Sequence, residues 1–354
     1  MAYKVGFIGF GGMISGYHLG TIRRDDVPFE AVAAFDIDPE RREAAEKAGL
    51  AVYSTPEDFF EAGGYDLVVV GTANNYHCEM VCRALEAGFN VMVEKPAARN
   101  AGEVRKMIEV SEKTGKFFTV HQNRRWDPDF LMVKQALADG VIGKPRVIES
   151  RIHSANGNGD MYGWRGMKDH GGGMLLDWGV HMLDQLLWMA GEPVKTVSAN
   201  VFSYWSEEVD DYAKVILTFE SGLVAQMEVA TYSPIPLPRW VVTGDRGAFR
   251  ADEIGSPALD VRRIRKDSLS RDPVKAFEDF KVVERLQSRH RIAGFEEFTY
   301  NKTPGGGWHS LYQNLAGVLA GTEELIVKPC QVLRCLEVID AAFRSSEEGV
   351  KVTF

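Results

Sequence analysis

Two stretches of the chain carry side chains suited to moving a proton and steadying a developing charge. The first is GGGMLLDWGVHMLD at residues 171–184, where Asp177, His181 and Asp184 interrupt an apolar run at spacings of four and three. That spacing stacks the three on one face of a helix. Met174, Leu175, Leu176, Trp178, Val180, Met182 and Leu183 fill the other positions, and Leu186, Leu187 and Trp188 extend the run. A helix apolar on nearly every side is a buried one. Ionisable groups inside it must pair, shift their pKa or face a cleft. A histidine with a carboxylate one turn earlier suits general acid–base chemistry. By itself the pattern equally fits a satisfied core histidine. The second stretch is Glu94-Lys95-Pro96. Pro96 restricts Lys95 to extended backbone and admits a cis peptide bond. A lysine so fixed can stabilise an alkoxide, or it can form an ion pair with Glu94 or a neighbour.

These groups need elements to hold them. Residues 3–9 form an apolar run ending in Gly9-Phe10-Gly11-Gly12, followed by a helical pattern through His18 and Leu19 to Ile22. Strand, glycine turn and helix are the context a dinucleotide fingerprint requires, with backbone N–H groups meeting a pyrophosphate. Ile14 stands where the third glycine of that fingerprint belongs, with Ser15 and Gly16 just after it. The strand at 29–35 ends in Asp36, placed to accept hydrogen bonds from an adenosine ribose and to repel the extra phosphate of NADP. Asp36 can also simply begin a turn, with Asp38 capping the helix that follows. Strands at 51–53, 67–70, 90–93 and 116–120 alternate with helices at 40–48, after 55, from 77 to 87 and at 101–114. This is the βα alternation of a doubly wound parallel sheet, whose ligand loops lie at the carboxyl ends of the strands. Those loops hold residues 9–12, Asp36, 72–77, 94–96 and 121–125.

From about residue 130 the pattern changes. A helix at 129–139 and a strand at 146–153 precede a glycine-rich polar loop, 154–173, carrying Tyr162, Trp164, Arg165, Lys168 and His170. Loops of this length inside a compact domain are usually functional. Strands at 197–205, 212–219, 223–231, 240–243, 248–251 and 259–265, joined by short turns, predict a largely antiparallel open sheet. Residues 268–291 read as a charged, irregular, solvated excursion. A second glycine loop, 303–309, brings Trp308 and His309 within possible reach of the cleft. Two helices, 310–319 and 331–345, close the chain.

The chain has 354 residues, 45% hydrophobic and 26% charged, with a formal net charge of −9. That length calls for two domains, 1–122 and 123–354, in a soluble globular protein. The negative charge argues against a nucleic-acid surface. No apolar run is long enough to span a membrane, and the N-terminus does not read as a signal peptide, so a cytoplasmic protein is expected. Cys78, Cys82, Cys330 and Cys335 lack zinc-ligand spacing and are expected to be reduced; no metal is expected.

In combination, Gly9-Phe10-Gly11-Gly12, Thr72-Ala73-Asn74 with His77, Glu94-Lys95-Pro96, NRRWDP at 123–128, Trp164-Arg165 and residues 171–184 resemble the glucose–fructose oxidoreductase/inositol dehydrogenase/rhizopine-catabolism (Gfo/Idh/MocA) family. The resemblance covers the first two hundred residues in family order; the remainder agrees in general pattern. It implies an N-terminal Rossmann domain, a C-terminal α/β domain on the open sheet, and hydride transfer between a nicotinamide cofactor and a secondary alcohol of a sugar, cyclitol or sugar derivative. It implies Lys95, Asp177 and His181 as the catalytic set, with His181 the general acid/base. Cofactor contacts are expected from Gly9, Gly11, Gly12, Met13, Asp36, Thr72, Asn74, His77, Glu94, Lys95 and Asn123. Substrate contacts are expected from Lys95, Arg124, Trp164, Arg165, Asp177 and His181. NAD is favoured by Asp36, with NADP possible. A homodimer or homotetramer formed through the C-terminal sheet is implied. Two alternatives stand beside this: an enzyme that retains and recycles its NAD, as in sugar–sugar oxidoreduction or redox-assisted glycoside cleavage, and a non-catalytic NAD or sugar sensor.

Overall fold

The computed structural model describes residues 2–154, 163–278, 280–288 and 290–354. Six parallel strands form the first sheet: β1 (Tyr3–Ile8), β2 (Phe29–Phe35), β3 (Ala51–Tyr53), β4 (Leu67–Val70), β5 (Asn90–Val93) and β6 (Phe118–Val120). Their order is β3-β2-β1-β4-β5-β6, so the winding reverses between β1 and β4. In such sheets the crevice at the reversal is the ligand site. β4 is buried along its whole length, as a strand covered by helices on both faces must be. Local signals set the helix starts. The Asp38 side chain accepts from the Glu40 amide, that of Thr55 from Asp58, and that of Asn100 from Glu103.

The second sheet has nine strands, in the order Phe295–Tyr300, Leu259–Ile264, Gly247–Ala251, Trp240–Gly244, Pro145–His153, Val224–Ala230, Tyr212–Phe219, Val194–Phe202 and Val352–Thr353. Neighbours run antiparallel except Pro145–His153 with Val224–Ala230. The helix Val180–Ala190 is buried on nearly all sides and packs against this sheet and the final helix, Pro329–Glu348. That final helix also touches Ala101–Thr114, so the end of the chain clamps the first sheet's helices to the second sheet.

One expectation fails. Residues 268–291 are not irregular: Pro273–Glu278 pairs with Lys281–Leu286, and Leu269–Ser270 with Arg291–Ile292, as antiparallel ribbons. The two-residue alternation is obscured because charged and apolar residues share both faces of the longer ribbon, Lys275 with Phe277 on one and Val274 with Glu278 on the other, so neither face reads as apolar. Phe277 and Phe280 stand exposed. All four cysteines are free thiols. Among the described residues, no helix is long and apolar enough to cross a membrane.

Candidate active site

The glycine turn after β1 packs against the end of β4. Gly9 has φ +88°, and a Cβ there would stand 2.8 Å from the Gly71 carbonyl oxygen. Ile14 is fully buried, and a Cβ on Gly71 would lie 2.7 Å from its side chain. The close helix–strand contact is therefore kept with the glycine on the opposite partner. Asp36, at the end of β2, accepts from the Phe10 amide through Oδ2 (2.7 Å) and from the Asp38 amide through Oδ1 (2.9 Å). It bolts the turn in place, and lone pairs remain on both oxygens for further donors. A Cβ on Gly11 would stand 2.9 Å from Arg41 Nη1, whereas one on Gly12 would meet nothing within 4 Å. Met13, half-buried, opens the helix. An open approach to backbone at a helix start, flanked by Arg41 and by Asp36, fits the diphosphate and ribose of a dinucleotide.

The loop after β4 is braced by its own side chains. Thr72 Oγ1 donates to the Ala73 carbonyl, and Asn74, buried, donates through Nδ2 to the Gly171 carbonyl at 2.8 Å. His77 is fully buried, with Nδ1 2.8 Å from the Pro96 carbonyl and Nε2 3.1 Å from that of Thr72. Burial pushes its pKa down. These contacts hold the loop against the cis Lys95–Pro96 bond and the start of the glycine segment. Asn123 is buried in the short helical turn Asn123–Trp126.

Lys95 projects from the carboxyl end of β5. Its Nζ donates to Asp177 Oδ1 at 2.7 Å and to the Asp177 main-chain carbonyl at 2.9 Å. An ammonium has three N–H donors, so one remains for a ligand. Asp177 lies in a single π-helical turn, Leu175–Gly179, that leads into Val180–Ala190. Such turns widen the helix locally and are frequent at functional sites. His181 follows, 4% exposed, with Nδ1 2.8 Å from Gln122 Oε1. Burial, then the charges of Lys95 and Arg124, hold its pKa well below the usual histidine value. Asp184 makes a two-point ion pair with Arg125 (Nε and Nη2, both 2.7 Å). The predicted single face is thus real: Asp177, His181 and Asp184 meet Lys95, Gln122 and Arg125 in turn.

Glu94 points the other way. Its Oε1 contacts His18 Nε2 at 2.6 Å and His121 Nδ1 at 2.8 Å, and His18 Nδ1 contacts the Tyr312 hydroxyl at 2.6 Å. Glu94 Oε2 accepts from the Lys95 amide. These are donor types a metal could use, but their separations are those of hydrogen bonds; ligands about 2.0–2.1 Å from a tetrahedral zinc stand farther apart. Burial holds His18 down, at about 4, and the two histidines keep Glu94 well below the usual carboxylate range despite its burial. Glu94 therefore anchors the Lys95 backbone to the first helix and to the end of β6.

The three glycines of 171–173 each allow a different close approach. A Cβ on Gly171 would stand 2.7 Å from the Arg99 side chain; on Gly172 it would overlap the Arg165 carbonyl, and on Gly173 the Asp210 carboxylate. Through them Arg165 reaches the site, its Nε 3.6 Å from Asp177 Oδ1 and its guanidinium 4.4 Å from the Trp164 ring centroid. Arg124 lies beside His181, 4.2 Å from the Trp178 ring and 5.3 Å from that of Trp308, with Nη1 on Asp127 Oδ2 at 3.0 Å. Trp308 also donates to Asp127. His309 instead faces Asp26, away from the cleft, and Lys168 contacts Glu208 through its amide. His170 has a buried Nδ1 without a hydrogen-bond partner among the described residues. Tyr162 lies outside the described residues.

Sequence reasoning did not single out Gln122, Trp178, His18, His121 or Tyr312. Gln122 carried a usable signal, since it follows the last parallel strand in a ligand loop. Tyr312 carried none, being remote in sequence from the histidine it meets.

Known proteins resemble the chain along its length. The family profile described as "Oxidoreductase family, NAD-binding Rossmann fold" matches residues 3–122, and the GFO/IDH/MocA C-terminal domain profile matches residues 130–250. A myo-inositol 2-dehydrogenase of Thermotoga maritima is 31% identical over 261 residues, covering 71% of this chain and 75% of that protein. An uncharacterized oxidoreductase, YdgJ, of Escherichia coli (strain K12) is 27% identical over 97% of this chain and 96% of its own length. The crystal structure of an NAD-binding protein from Listeria innocua superposes with a TM-score of 0.83 at 35% identity, covering 100% of this chain and 97% of that one.

Proposed function

Because the chain belongs to the GFO/IDH/MocA family of NAD-binding oxidoreductases, we propose that it is a dehydrogenase oxidising a secondary alcohol of a sugar, cyclitol or sugar derivative. In this reading residues 1–122 bind the nucleotide and residues 123–354 bind substrate and form the oligomer. The observation that carries it is the convergence of Lys95, Asp177 and His181 at the crevice of the parallel sheet. The inositol dehydrogenase relative supports the substrate class.

Gln122 Oε1 can only accept, so the imidazole proton sits on Nδ1 and the Nε2 lone pair is the base. When bound, NAD would supply the hydride acceptor, held by the turn of Gly9, Gly11 and Gly12 and by Asp36. His181 takes the hydroxyl proton as the carbon–oxygen bond becomes a carbonyl. Lys95, its charge anchored by Asp177, turns its third N–H to the same oxygen and stabilises the developing negative charge. Asp177 keeps the ammonium aimed; without it Lys95 would be free to rotate away. Asp36 receives the ribose hydroxyls and disfavours a phosphate there, which makes NAD the preferred cofactor. The outer surface of the second sheet is the self-association surface in this reading, with Phe202 at a strand end and Tyr204, Trp205 and Tyr232 exposed in the loops beside it.

The test is a screen of cyclitols, aldoses, sugar acids and glycosides with NAD and NADP, followed by the absorbance of the reduced cofactor. Substrate-dependent NAD reduction that disappears in His181→Ala supports the reading. Reduction that survives in His181→Ala overturns the assignment of the base.

A further inference from the structure

Two consecutive arginines meet carboxylates differently. Arg125 presents its Nε–Nη2 edge to Asp184, with both contacts at 2.7 Å. This is the side-on fork by which guanidinium and carboxylate recognise each other. Arg124 commits only Nη1, to Asp127. Its Nε and Nη2 have no hydrogen-bond partner among the described residues. The indoles of Trp178 and Trp308 flank the guanidinium and limit its movement. Arg124 is only 16% exposed, so this edge is partly withdrawn from water. Arg165 adds a second guanidinium within reach of Asp177, also without a hydrogen-bond partner of its own among the described residues.

The base is thus surrounded by cations. Lys95, Arg124 and Arg165 gather around His181 and Asp177. Asp177 balances Lys95, Asp127 partly balances Arg124, and Glu94 is committed to His18 and His121. Alcohol oxidation moves a positive charge onto His181 while hydride transfer removes the one on the nicotinamide ring. The imidazole already resists it, through burial and the charges of Lys95 and Arg124, with His121 adding to them and Glu94 opposing. A neutral polyol brings nothing to offset these fixed cations. A substrate with its own negative group on the free Arg124 edge does.

We propose that the substrate is a hydroxy acid of the sugar or polyol class, whose carboxylate docks on the Nε–Nη2 edge of Arg124 while its reacting hydroxyl lies between Lys95 and His181. The open edge matches the two oxygens of a carboxylate, as the same edge of the neighbouring Arg125 does for Asp184; a phosphate can make a similar two-point contact, and the test separates the two. The inference rests on the dehydrogenase reading and narrows its substrate. The chemistry balances as before: hydride to NAD, proton to His181, carbonyl formed, carboxylate unchanged.

The test compares pairs that share a carbon skeleton, an aldose with its aldonate and a hexose with its hexuronate, plus the sugar phosphate. Turnover is followed with NAD. Binding is followed separately, by tryptophan fluorescence of the NADH-loaded protein. A charge-assisted two-point contact predicts a preference for the acid of about 10- to 100-fold in kcat/KM. In Arg124→Gln the ratio of acid to neutral substrate should collapse toward one. Arg124→Lys, which keeps the charge but loses the fork, should retain only part of it, and unchanged NADH binding certifies that the variants fold. Equal use of neutral and acidic partners, or an Arg124→Gln defect of the same size for both, overturns the inference and leaves the dehydrogenase reading standing. Preference for the phosphate overturns the choice of carboxylate. If acids bind the NADH complex but no alcohol is oxidised, the dehydrogenase reading fails and the anion site stands.

Discussion

The Nδ1 of His181 and the Oε1 of Gln122 lie 2.8 Å apart, both side chains buried. Where a carboxylate is the usual partner of a histidine base, His181, the proposed base, meets a neutral amide, which sets the tautomer without adding a negative charge beside the ring. The pH behaviour follows. The base must be neutral to act, so activity exists above its pKa and is lost as pH falls through it. Burial, Lys95 and Arg124 hold that pKa well below the usual value, so kcat/KM should stay level through neutral pH. Gln122→Glu adds a negative charge that favours the imidazolium and should move the acid limb to higher pH by about one unit or more. The pH profile of kcat/KM checks it. A limb that does not move would mean Gln122 is merely a packing residue.

Removing the reacting groups tests the site more directly. His181→Ala and Lys95→Ala should each lower kcat about a hundredfold or more, the usual size of acid–base and electrostatic contributions. NAD affinity, measured by calorimetry, should stay within a few-fold. Wild-type turnover in both variants would remove Lys95 and His181 from the chemistry.

Asp36 holds the glycine turn in this structure and is proposed to receive the ribose, and substitutions separate the two roles. Asp36→Ala should weaken NAD binding about tenfold, because it loses a ribose acceptor and also frees the Phe10 amide that Oδ2 now holds. Asp36→Asn keeps one acceptor for the turn and removes the charge, so it should raise NADP use relative to NAD. The ratio of kcat/KM for the two cofactors is the readout, and equal use of both by the unmodified protein would count against Asp36 as the discriminator.

The contact of Ile14 with Gly71 makes a stability prediction. Gly71→Ala places a methyl 2.7 Å from Ile14 and should cost about 1–3 kcal/mol, the usual penalty of overpacking. Adding Ile14→Ala should recover part of the loss, because the smaller side chain makes room. Denaturant unfolding of the two single variants and the double one gives the coupling; simple additivity would show that the two residues do not press on each other.

Much of the site was legible in the chain because its signals are local. The buried helix with Asp177 and His181 on one face follows from residue type and a period of 3.6. The strand ends bearing Asp36 and Lys95 follow from βα alternation, and so does the glycine turn. Lys95 next to proline also admits the reading of a lysine ion-paired with Glu94 or a neighbour. The structure shows the ion pair, and the partner is Asp177, not Glu94. The ribbons within 268–292 are not legible because charged and apolar residues mix on both faces, which leaves no two-residue period to read.

The sequence by itself determined the parallel sheet, the nucleotide turn and the burial of the helix that bears His181. Each depends on neighbours within a turn of helix or a strand's length. Only the tertiary structure decided which group orients His181, why Ile14 can replace a small residue, what the glycines of 171–173 approach, and that Arg124 keeps an open edge where Arg125 does not. Those relations join residues tens to hundreds of positions apart, and they arise from packing two sheets across one crevice. No local propensity or period encodes such a distance.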